Sequence, residues 1–397
     1  MYAVVNQLNI SYTLRKHIKK KEEFFLLFFL FSYVTIDLGA DSMKKALLII
    51  VFLLVGCSFQ DNPTIVNEAD CNYYFYETLS DKEQKIYRQL YKGLASFEES
   101  IYISSLDGDA IKKASYAIYY DHPELFYYRG GYQLNSLFLG SKLTPVYHHT
   151  KDEAIAKQQQ IEQITTSFDF IEFESDYEAL KYLFDYIVLN VDYDSGAEDN
   201  QNLYSGLVQN KSVCAGYARE MQYLCQQLGI ECLYVSGQTD EGENHAWNIV
   251  LCDGHYYHVD PTHGDRQLKE SYVVPDGLKI KYIYLCLDDE LIYRNRKEDM
   301  DFSLPSCDNN DLNFYQMNGL YFDSYNLDEI KGSIRESLKQ KQNYWQGQFS
   351  NEEDFNKAKE EIKNNIYPNE VLNNTSLDQV TTKYVYDEDF YIIYCWY

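Results

Sequence analysis

The dipeptide Asp253-Gly254 constrains the fold of this chain more than any other feature. It lies between two runs that alternate like β-strands, HAWNIVLC before it and HYYHVDP after it. Asp-Gly between such runs is typical of a β-hairpin with a two-residue turn, because both residues tolerate positive φ. A turn of this length pairs Cys252 with His255 and sets the register of the whole hairpin.

The predicted register brings two polar side chains together. Counted back from the turn, His245 faces Thr262 and Trp247 faces Asp260. His245 and Asp260 are then diagonal neighbours on one face of the sheet. An imidazole and a carboxylate in this arrangement can form a hydrogen bond in which the carboxylate orients the ring. The hairpin therefore predicts a base together with its orienting acid.

A cysteine stands at the start of the helix predicted just upstream of the hairpin. Apolar residues recur with a helical period from Tyr217 onward, and Gly229 is a suitable residue to end the helix. Cys214 then lies in the first turn, where unpaired N–H groups and the helix dipole favour the thiolate, the nucleophilic form. The small Ala215 and Gly216 are expected to leave the sulfur accessible.

Each of these residues also has an ordinary structural explanation. A single buried cysteine is usually a small apolar residue, a strand histidine is usually a satisfied polar residue, and an aspartate before proline usually forms a turn. The combination of Cys214, His245 and Asp260 nevertheless favours a nucleophile, a base and an orienting acid. His258 shares the predicted sheet face of Asp260 and is the alternative base.

Three short motifs carry a resemblance to a known family. The runs SVCAGYA, HAWNIV and YHVDPT closely resemble the catalytic core of the transglutaminase-like superfamily over about 177–291. The resemblance implies an α+β fold with a papain-like core, in which a catalytic helix packs on an antiparallel sheet. It also implies Cys214 as nucleophile, His245 as general base and acid, and Asp260 as the residue that orients His245. Tyr193 or Tyr204 lies where the family's aromatic oxyanion donor is expected.

Charge and composition exclude several kinds of partner. With 35 Lys and Arg against 61 Asp and Glu, the net charge is 35 − 61 = −26. A surface of this sign repels phosphate, so nucleic acid is not an expected partner. We expect no cofactor and no metal. Adjacent strand residues such as His148 and His149 point to opposite faces, and the hairpin register likewise separates His255 from His258.

The N-terminal part resembles a lipoprotein precursor. Met43-Lys44-Lys45 provides a basic segment, an apolar run follows, and LVGC ending at Cys57 resembles the lipobox of bacterial lipoproteins. We therefore expect residues 1–42 to be a gene-model extension, 43–56 a signal peptide and 57–72 a polar tether. Lipid attached to Cys57 would anchor the protein to the bilayer on the extracytoplasmic face of the cell membrane.

The remaining chain divides by pattern into three parts and a linker. We predict an N-terminal α+β module at 73–170, with a capping box at Ser80 and Glu83 opening its first long helix. The core occupies 171–300, and the Pro-, Ser- and Asn-containing residues 301–311 form a linker. The C-terminal α+β module, 312–397, contains two polar helices and ends in a hairpin.

Together these features predict a membrane-anchored thiol enzyme that acts on amide bonds of a protein or peptide substrate through a Cys214 acyl-enzyme. Water as the second nucleophile gives a peptidase or amidase, and this outcome is favoured. An amine as the second nucleophile gives a transglutaminase. A different class remains as an alternative, a surface binding or scaffolding protein that keeps the core without turnover.

Overall fold

The computed structural model describes residues 73–168, 173–266 and 273–397. The predicted extension, signal peptide, tether and Cys57 lie outside these residues. Over the described ranges, no helix has both the length and the apolar character needed to cross a membrane.

The first described segment combines four helices with a three-stranded antiparallel sheet. The capping box predicted at its first long helix is confirmed, since Ser80 accepts from the Glu83 N–H and Glu83 accepts from the Ser80 N–H. The sheet has the order β1-β3-β2. In chain order the elements are α1 Tyr74–Glu77, α2 Asp81–Ala95, β1 Ile101–Ile103, α3 Gly108–Asp121, β2 Tyr128–Leu137, β3 Gly140–Tyr147 and α4 Lys151–Ser167.

The next segment is built on a five-stranded antiparallel sheet with the order β10-β6-β7-β8-β9. Two short strands, β4 and β5, pair in parallel beside it. In chain order the elements are α5 Asp176–Asn190, β4 Asp192–Tyr193, α6 Leu203–Leu207, β5 Lys211–Ser212, α7 Cys214–Gln227, β6 Cys232–Thr239, β7 Asn244–Cys252, β8 His255–Val259, α8 Pro261–Gly264, β9 Leu285–Leu287, α9 Asp289–Ile292 and β10 Arg296–Glu298.

Helix α7 is the buried centre of this segment. It packs on strands β6 and β7 and against helix α5. Asn248 of β7 ties it to the sheet, because its amide donates to the carbonyl oxygens of Ala218 and Leu233 at 3.0 and 3.2 Å. The predicted arrangement of a helix on an antiparallel sheet is therefore confirmed.

The hairpin between β7 and β8 has the predicted register from Cys252 with His255 to Asn248 with Val259. The pairs predicted beyond this point, Trp247 with Asp260 and His245 with Thr262, do not form, because β8 ends at Val259 and helix α8 follows. Cys252 pairs with His255 across the turn. Asp253 and Gly254 both have positive φ, 48° and 88°, as a two-residue turn of this kind requires. The local chemistry of two residues thus determines which side chains share a face over the length of both strands.

The C-terminal segment has its own apolar cluster, which includes Trp345, Phe355 and Ile393. Its sheet has the order β11-β12-β14-β13, and the closing hairpin predicted from the sequence is the antiparallel pair of β13 and β14. In chain order the elements are α10 Phe314–Met317, β11 Tyr321–Phe322, α11 Leu327–Lys339, β12 Tyr344–Phe349, α12 Glu352–Glu361, a π-helical turn Ile362–Ile366, α13 Tyr367–Asn374, β13 Lys383–Asp387 and β14 Ile392–Trp396.

Candidate active site

Cys214 is the first residue of helix α7 and is partly exposed. The residue before it, Val213, is the N-cap and provides no side-chain hydrogen bond to the helix. The first N–H groups of an α-helix have no partner within the helix. The start of α7 therefore presents a thiol next to backbone donors that no side chain caps.

His245 and Asp260 are in contact, as predicted, although Asp260 lies just beyond the end of β8. His245 Nε2 lies 2.8 Å from Asp260 Oδ2, and both side chains are buried. The second carboxylate oxygen of Asp260 accepts from the backbone N–H of His263 at 3.1 Å, because Asp260 is the N-cap of helix α8. The carboxylate that holds the ring is thus itself fixed by the backbone.

The imidazole of His245 lies between this carboxylate and the thiol. The ring is close enough to Cys214 for the thiol to help raise its pKa. Because Nε2 is bound to Asp260, Nδ1 is the nitrogen available to the sulfur. Burial lowers the pKa of His245, but the charge and hydrogen bond of Asp260 and the contact with Cys214 outweigh it and raise the pKa to about 9. At neutral pH the ring is therefore an imidazolium, which stabilises a thiolate beside it.

Two further residues contact Asp260 that the sequence did not assign to the site. Arg296 Nη2 lies 2.5 Å from Asp260 Oδ2, and His263 Nδ1 lies 3.0 Å from the same oxygen. Burial raises the pKa of Asp260, but the charges of His245, Arg296 and His263 lower it well below its ordinary value. These three neighbours therefore favour the ionised form of Asp260.

The sequence carries a signal for His263 but not for Arg296. His263 lies three residues after an aspartate that precedes proline, which is the spacing of a helix cap, so its approach to Asp260 could have been inferred. Arg296 belongs to β10, whose contact with the site arises from pairing with β6 at the sheet edge. No local pattern in the sequence indicates that pairing.

His245, Asp260 and His263 together offer three atoms that could hold a metal ion, all within 4.8 Å of one another. The guanidinium of Arg296 contacts the same Asp260 oxygen. A cation bound there would meet a fixed positive charge at close range, which is unfavourable in a buried site. The residues present therefore fit an ion-pair network better than a metal centre.

The alternative base, His258, lies in a separate cluster. Trp247 Nε1 donates to His258 Nδ1 at 3.0 Å, so the ring proton resides on Nε2, which is 2.9 Å from Asp289 Oδ1. Both ring nitrogens are thus used by structural partners. Cys307 completes a possible set of metal ligands with His258 and Asp289, but a protonated Nε2 cannot bind a metal. His258 is not positioned to act on Cys214.

The two tyrosines proposed as oxyanion donors have different surroundings. Tyr193 is partly exposed and close enough to Cys214 for their charges to interact; burial and this interaction raise its pKa. Tyr204 donates its hydroxyl to Gln160 Oε1 at 2.6 Å. Lys157 lies 4.3 Å from the centre of the Tyr204 ring. Of the two, Tyr193 is the one that the structure places beside the thiol.

Gly216 has a different role from the one expected. A Cβ atom at this position would lie 1.7 Å from Ser212 Oγ and 2.9 Å from Ser205 Oγ. The glycine therefore allows the start of α7 to approach α6 and β5 closely, and it is buried instead of bordering the sulfur. Close packing beneath the helix explains the small residue better than access to the thiol.

The site combines a thiol at a helix start, an imidazole and a buried carboxylate on an α+β core. This combination is typical of proteins with a nucleophilic cysteine. Residues 170–261 match the family described as the transglutaminase-like superfamily. This segment therefore resembles the transglutaminase-like superfamily, as the three motifs predicted.

Individual relatives match only part of this chain. It is 29% identical over 109 residues to kyphoscoliosis peptidase of Mus musculus, covering 23% of this chain and 16% of the relative. It is 28% identical to kyphoscoliosis peptidase of Homo sapiens, again over 109 residues and with the same coverage of both chains. The chain thus spans about one sixth of the length of these curated relatives. A solved structure described as a TGase has a TM-score of 0.27 and 16% identity, covering 45% of this chain and 53% of that one.

Proposed function

We propose that this protein hydrolyses amide bonds in a protein or peptide substrate through an acyl-enzyme formed on Cys214. The observation that carries the proposal is the hydrogen bond between Asp260 and His245, whose ring lies near the Cys214 thiol at the start of α7. The relatives with 28–29% identity are named peptidases, which supports hydrolysis over transfer to an amine.

The chemistry requires two steps. The Cys214 sulfur attacks the amide carbonyl carbon, and the backbone N–H groups at the start of α7 stabilise the oxyanion that forms. Collapse of this intermediate breaks the C–N bond, and the His245 imidazolium gives its proton to the leaving amine. His245, now neutral, removes a proton from water, which attacks the thioester and releases the acid and the Cys214 thiolate.

Thiol labelling tests the first half of the proposal. Iodoacetamide at slightly acid pH should label the wild-type protein rapidly at Cys214, and a Cys214→Ala variant should lose this labelling. Cys225, a buried free thiol on the same helix, provides the matched control, because Cys225→Ala should label as the wild type does. Equal labelling of wild type and Cys214→Ala would contradict an activated thiolate at this position.

Turnover measurements test the second half. The mature protein is incubated with a peptide library, with and without a fluorescent primary amine. Release of new amino termini that the added amine does not alter supports hydrolysis, whereas incorporation of the amine into glutamine side chains supports a transglutaminase. A labelled thiol with neither reaction over the whole library supports a binding or scaffolding protein.

We further propose that the protein is anchored by lipid on Cys57 at the extracytoplasmic face of the cell membrane. The support is the basic segment, apolar run and LVGC motif of the sequence. Expression with a labelled fatty acid should label the wild type but not Cys57→Ser, which should appear in the soluble fraction. Mass spectrometry of the unprocessed precursor locates the start, and a peptide from before Met43 would contradict the proposed extension.

A further inference from the structure

A cavity of about 150 Å³ lies where the N-terminal α+β segment meets the start of the core. Its walls come from the region between α3 and β2, from the residues that open α6, and from α7. Two arginines, Arg129 and Arg219, line it, and no aspartate or glutamate is among its lining residues. In a chain with a net charge of −26, a cavity of this composition is unusual.

Three hydrogen-bond donors of the lining residues lack an acceptor. They are Arg219 Nη2, Asn202 Nδ2 and Arg129 Nε, each buried and without a hydrogen-bond partner. Arg219 is 4% exposed and Asn202 is 5% exposed. Buried donors without acceptors are costly, and natural structures rarely retain several in one place without a function. An acceptor from outside the chain would satisfy them.

The charge of Arg219 is also unbalanced. Its Nη1 donates to the neutral amide of Gln222 at 3.1 Å, and within the described residues no carboxylate is close enough to form an ion pair with it. Its guanidinium contacts two rings, 3.9 Å from the centre of Tyr234 and 4.3 Å from that of Tyr119. The rings hold the group in place, so it is already oriented before any ligand binds.

The other two donors are oriented as well. The Oδ1 atom of Asn202 accepts from the Ser205 N–H at 3.1 Å as the cap of α6, which requires the oxygen on that side and turns Nδ2 the other way. Arg129 is held through Nη2 by Asp199. Asp199 also contacts His149 Nε2 at 2.9 Å and Lys157 Nζ at 3.7 Å. The negative charge of Asp199 is thus shared among three partners.

The cavity adjoins the candidate active site. Tyr119 lines the cavity. Like Cys214, it packs against a small buried cluster of Ala218, Tyr234 and Ala246. Tyr234, the second ring in contact with Arg219, is close enough to Cys214 for their charges to interact. Arg219 is five residues beyond Cys214 on α7, a rise of about 7.5 Å along the helix. The contacts of Tyr119 and Tyr234 therefore place the cavity near the thiol.

We propose that this cavity is a subsite for a carboxylate of the substrate, next to the bond that Cys214 attacks. The carboxylate belongs either to an acidic side chain or to a free C-terminus, and Arg219, Asn202 and Arg129 donate to it. That the bound carboxylate belongs to a substrate rests on the proposed function. The binding of a carboxylate in the cavity can be tested without turnover.

The test uses hexapeptides in which each position in turn is Glu or Gln, each made with a free C-terminal carboxylate and with a C-terminal amide. In one of these pairs, Glu against Gln or free acid against amide, the wild-type kcat/KM should be at least about tenfold higher for the peptide with the carboxylate. Hydrogen bonds to a charged group contribute enough free energy for a ratio of this size. A preference at an internal position identifies a side chain, and a preference for the free acid identifies the C-terminus.

Two variants show whether the preference comes from the cavity. Asn202→Asp keeps the cap oxygen but replaces the donor by an anion, and Arg129→Gln removes a cation from a partly exposed position. Either should reduce the Glu-to-Gln ratio to about twofold or less, whereas Arg88→Gln, at an exposed position outside the cavity, should keep the wild-type ratio. A wild-type ratio near one, or an unchanged ratio in both cavity variants, overturns the proposal.

Binding to the Cys214→Ala protein separates this proposal from the proposed function. Fluorescence anisotropy with the same peptides should show the same preference for the carboxylate members, and Arg219→Lys in the Cys214→Ala background should weaken it. Thermal unfolding of each variant identifies any loss caused by misfolding. A binding preference without turnover supports the subsite and contradicts hydrolysis; turnover without any preference for a carboxylate contradicts the subsite alone.

Discussion

Arg296 and Asp260 form an ion pair that is almost entirely shielded from solvent, with Nη2 2.5 Å from Oδ2 and side chains 1% and 0% exposed. The same carboxylate oxygen is bound to His245. Arg296 therefore contributes to keeping Asp260 ionised, and an ionised Asp260 keeps His245 protonated. A strand at the edge of the sheet thus positions the charge that the thiol requires.

Replacing Arg296 by Met should destabilise the fold strongly. The variant removes one of the two cations that contact the buried Asp260, and breaking a buried pair from one side costs about 3–5 kcal/mol. Denaturant unfolding measures this change. Arg294→Met is the matched control, because Arg294 pairs with the exposed Glu290 and exposed pairs contribute about 0–1 kcal/mol. Equal losses in the two variants would show that the pair with Asp260 has no special importance.

Gly216→Ala should disturb the start of α7. Its Cβ would lie 1.7 Å from Ser212 Oγ, so the helix must shift, and overpacking of this kind costs about 1–3 kcal/mol. The shift should also slow iodoacetamide labelling of Cys214. Gly332→Ala in helix α11 meets nothing within 4 Å and should be neutral or slightly stabilising. Ser212→Gly combined with Gly216→Ala should restore part of the loss, and its failure to do so would argue against this contact.

Glu220 on α7 should make stability depend on pH. It is completely buried and neither carboxylate oxygen has a partner, and burial raises its pKa to about 8 from the ordinary 4.5. Between these two values the folded state binds more protons than the unfolded state, so the free energy of unfolding falls as pH rises through this interval.

Glu220→Gln removes this titration. The free energy of unfolding, measured in urea from pH 5 to 8, should fall less steeply in the variant than in the wild type. Glu99, which is exposed, gives the control, since Glu99→Gln should keep the wild-type slope. Parallel curves for wild type and Glu220→Gln would mean that Glu220 titrates near its ordinary value in the folded protein.

The sequence predicted those parts of the site that depend on local chemistry. The turn at Asp253-Gly254 determines the register of β7 and β8 up to Val259. Asp260 follows directly after this strand and contacts His245. The helical period places Cys214 at the start of α7. Each of these inferences uses residues close together in the chain, whose geometry the turn and the helix dictate.

Contacts between distant segments could not be predicted in this way. Arg296 reaches Asp260 only because β10 pairs with β6, and an edge strand of three residues carries little pattern of its own. The cavity around Arg219 forms where α7 packs against residues near Tyr119 of α3. A helical arginine is usually solvated, so its burial against two rings depends on tertiary packing.

Asp260→Asn should change the pH dependence of catalysis. Asp260 raises the pKa of His245 to about 9, so in the wild type the imidazolium that protonates the leaving amine persists until the pH passes this value. Removing the carboxylate charge lowers the pKa of His245, and the alkaline limb of kcat/KM should therefore move to lower pH. The rate at the optimum should fall roughly 10²- to 10⁴-fold, because the amide no longer holds the ring or its charge.

The experiment measures kcat/KM from pH 5 to 10 for the wild type, for Asp260→Asn and for Asp289→Asn. Asp289 is the matched control, because it is the carboxylate partner of the other buried histidine, His258. Its variant should keep the wild-type alkaline limb, since His258 does not contact Cys214. If the limb moved in Asp289→Asn and stayed fixed in Asp260→Asn, then His258 and not His245 would be the group that titrates, and the roles assigned to the two histidines would have to be exchanged.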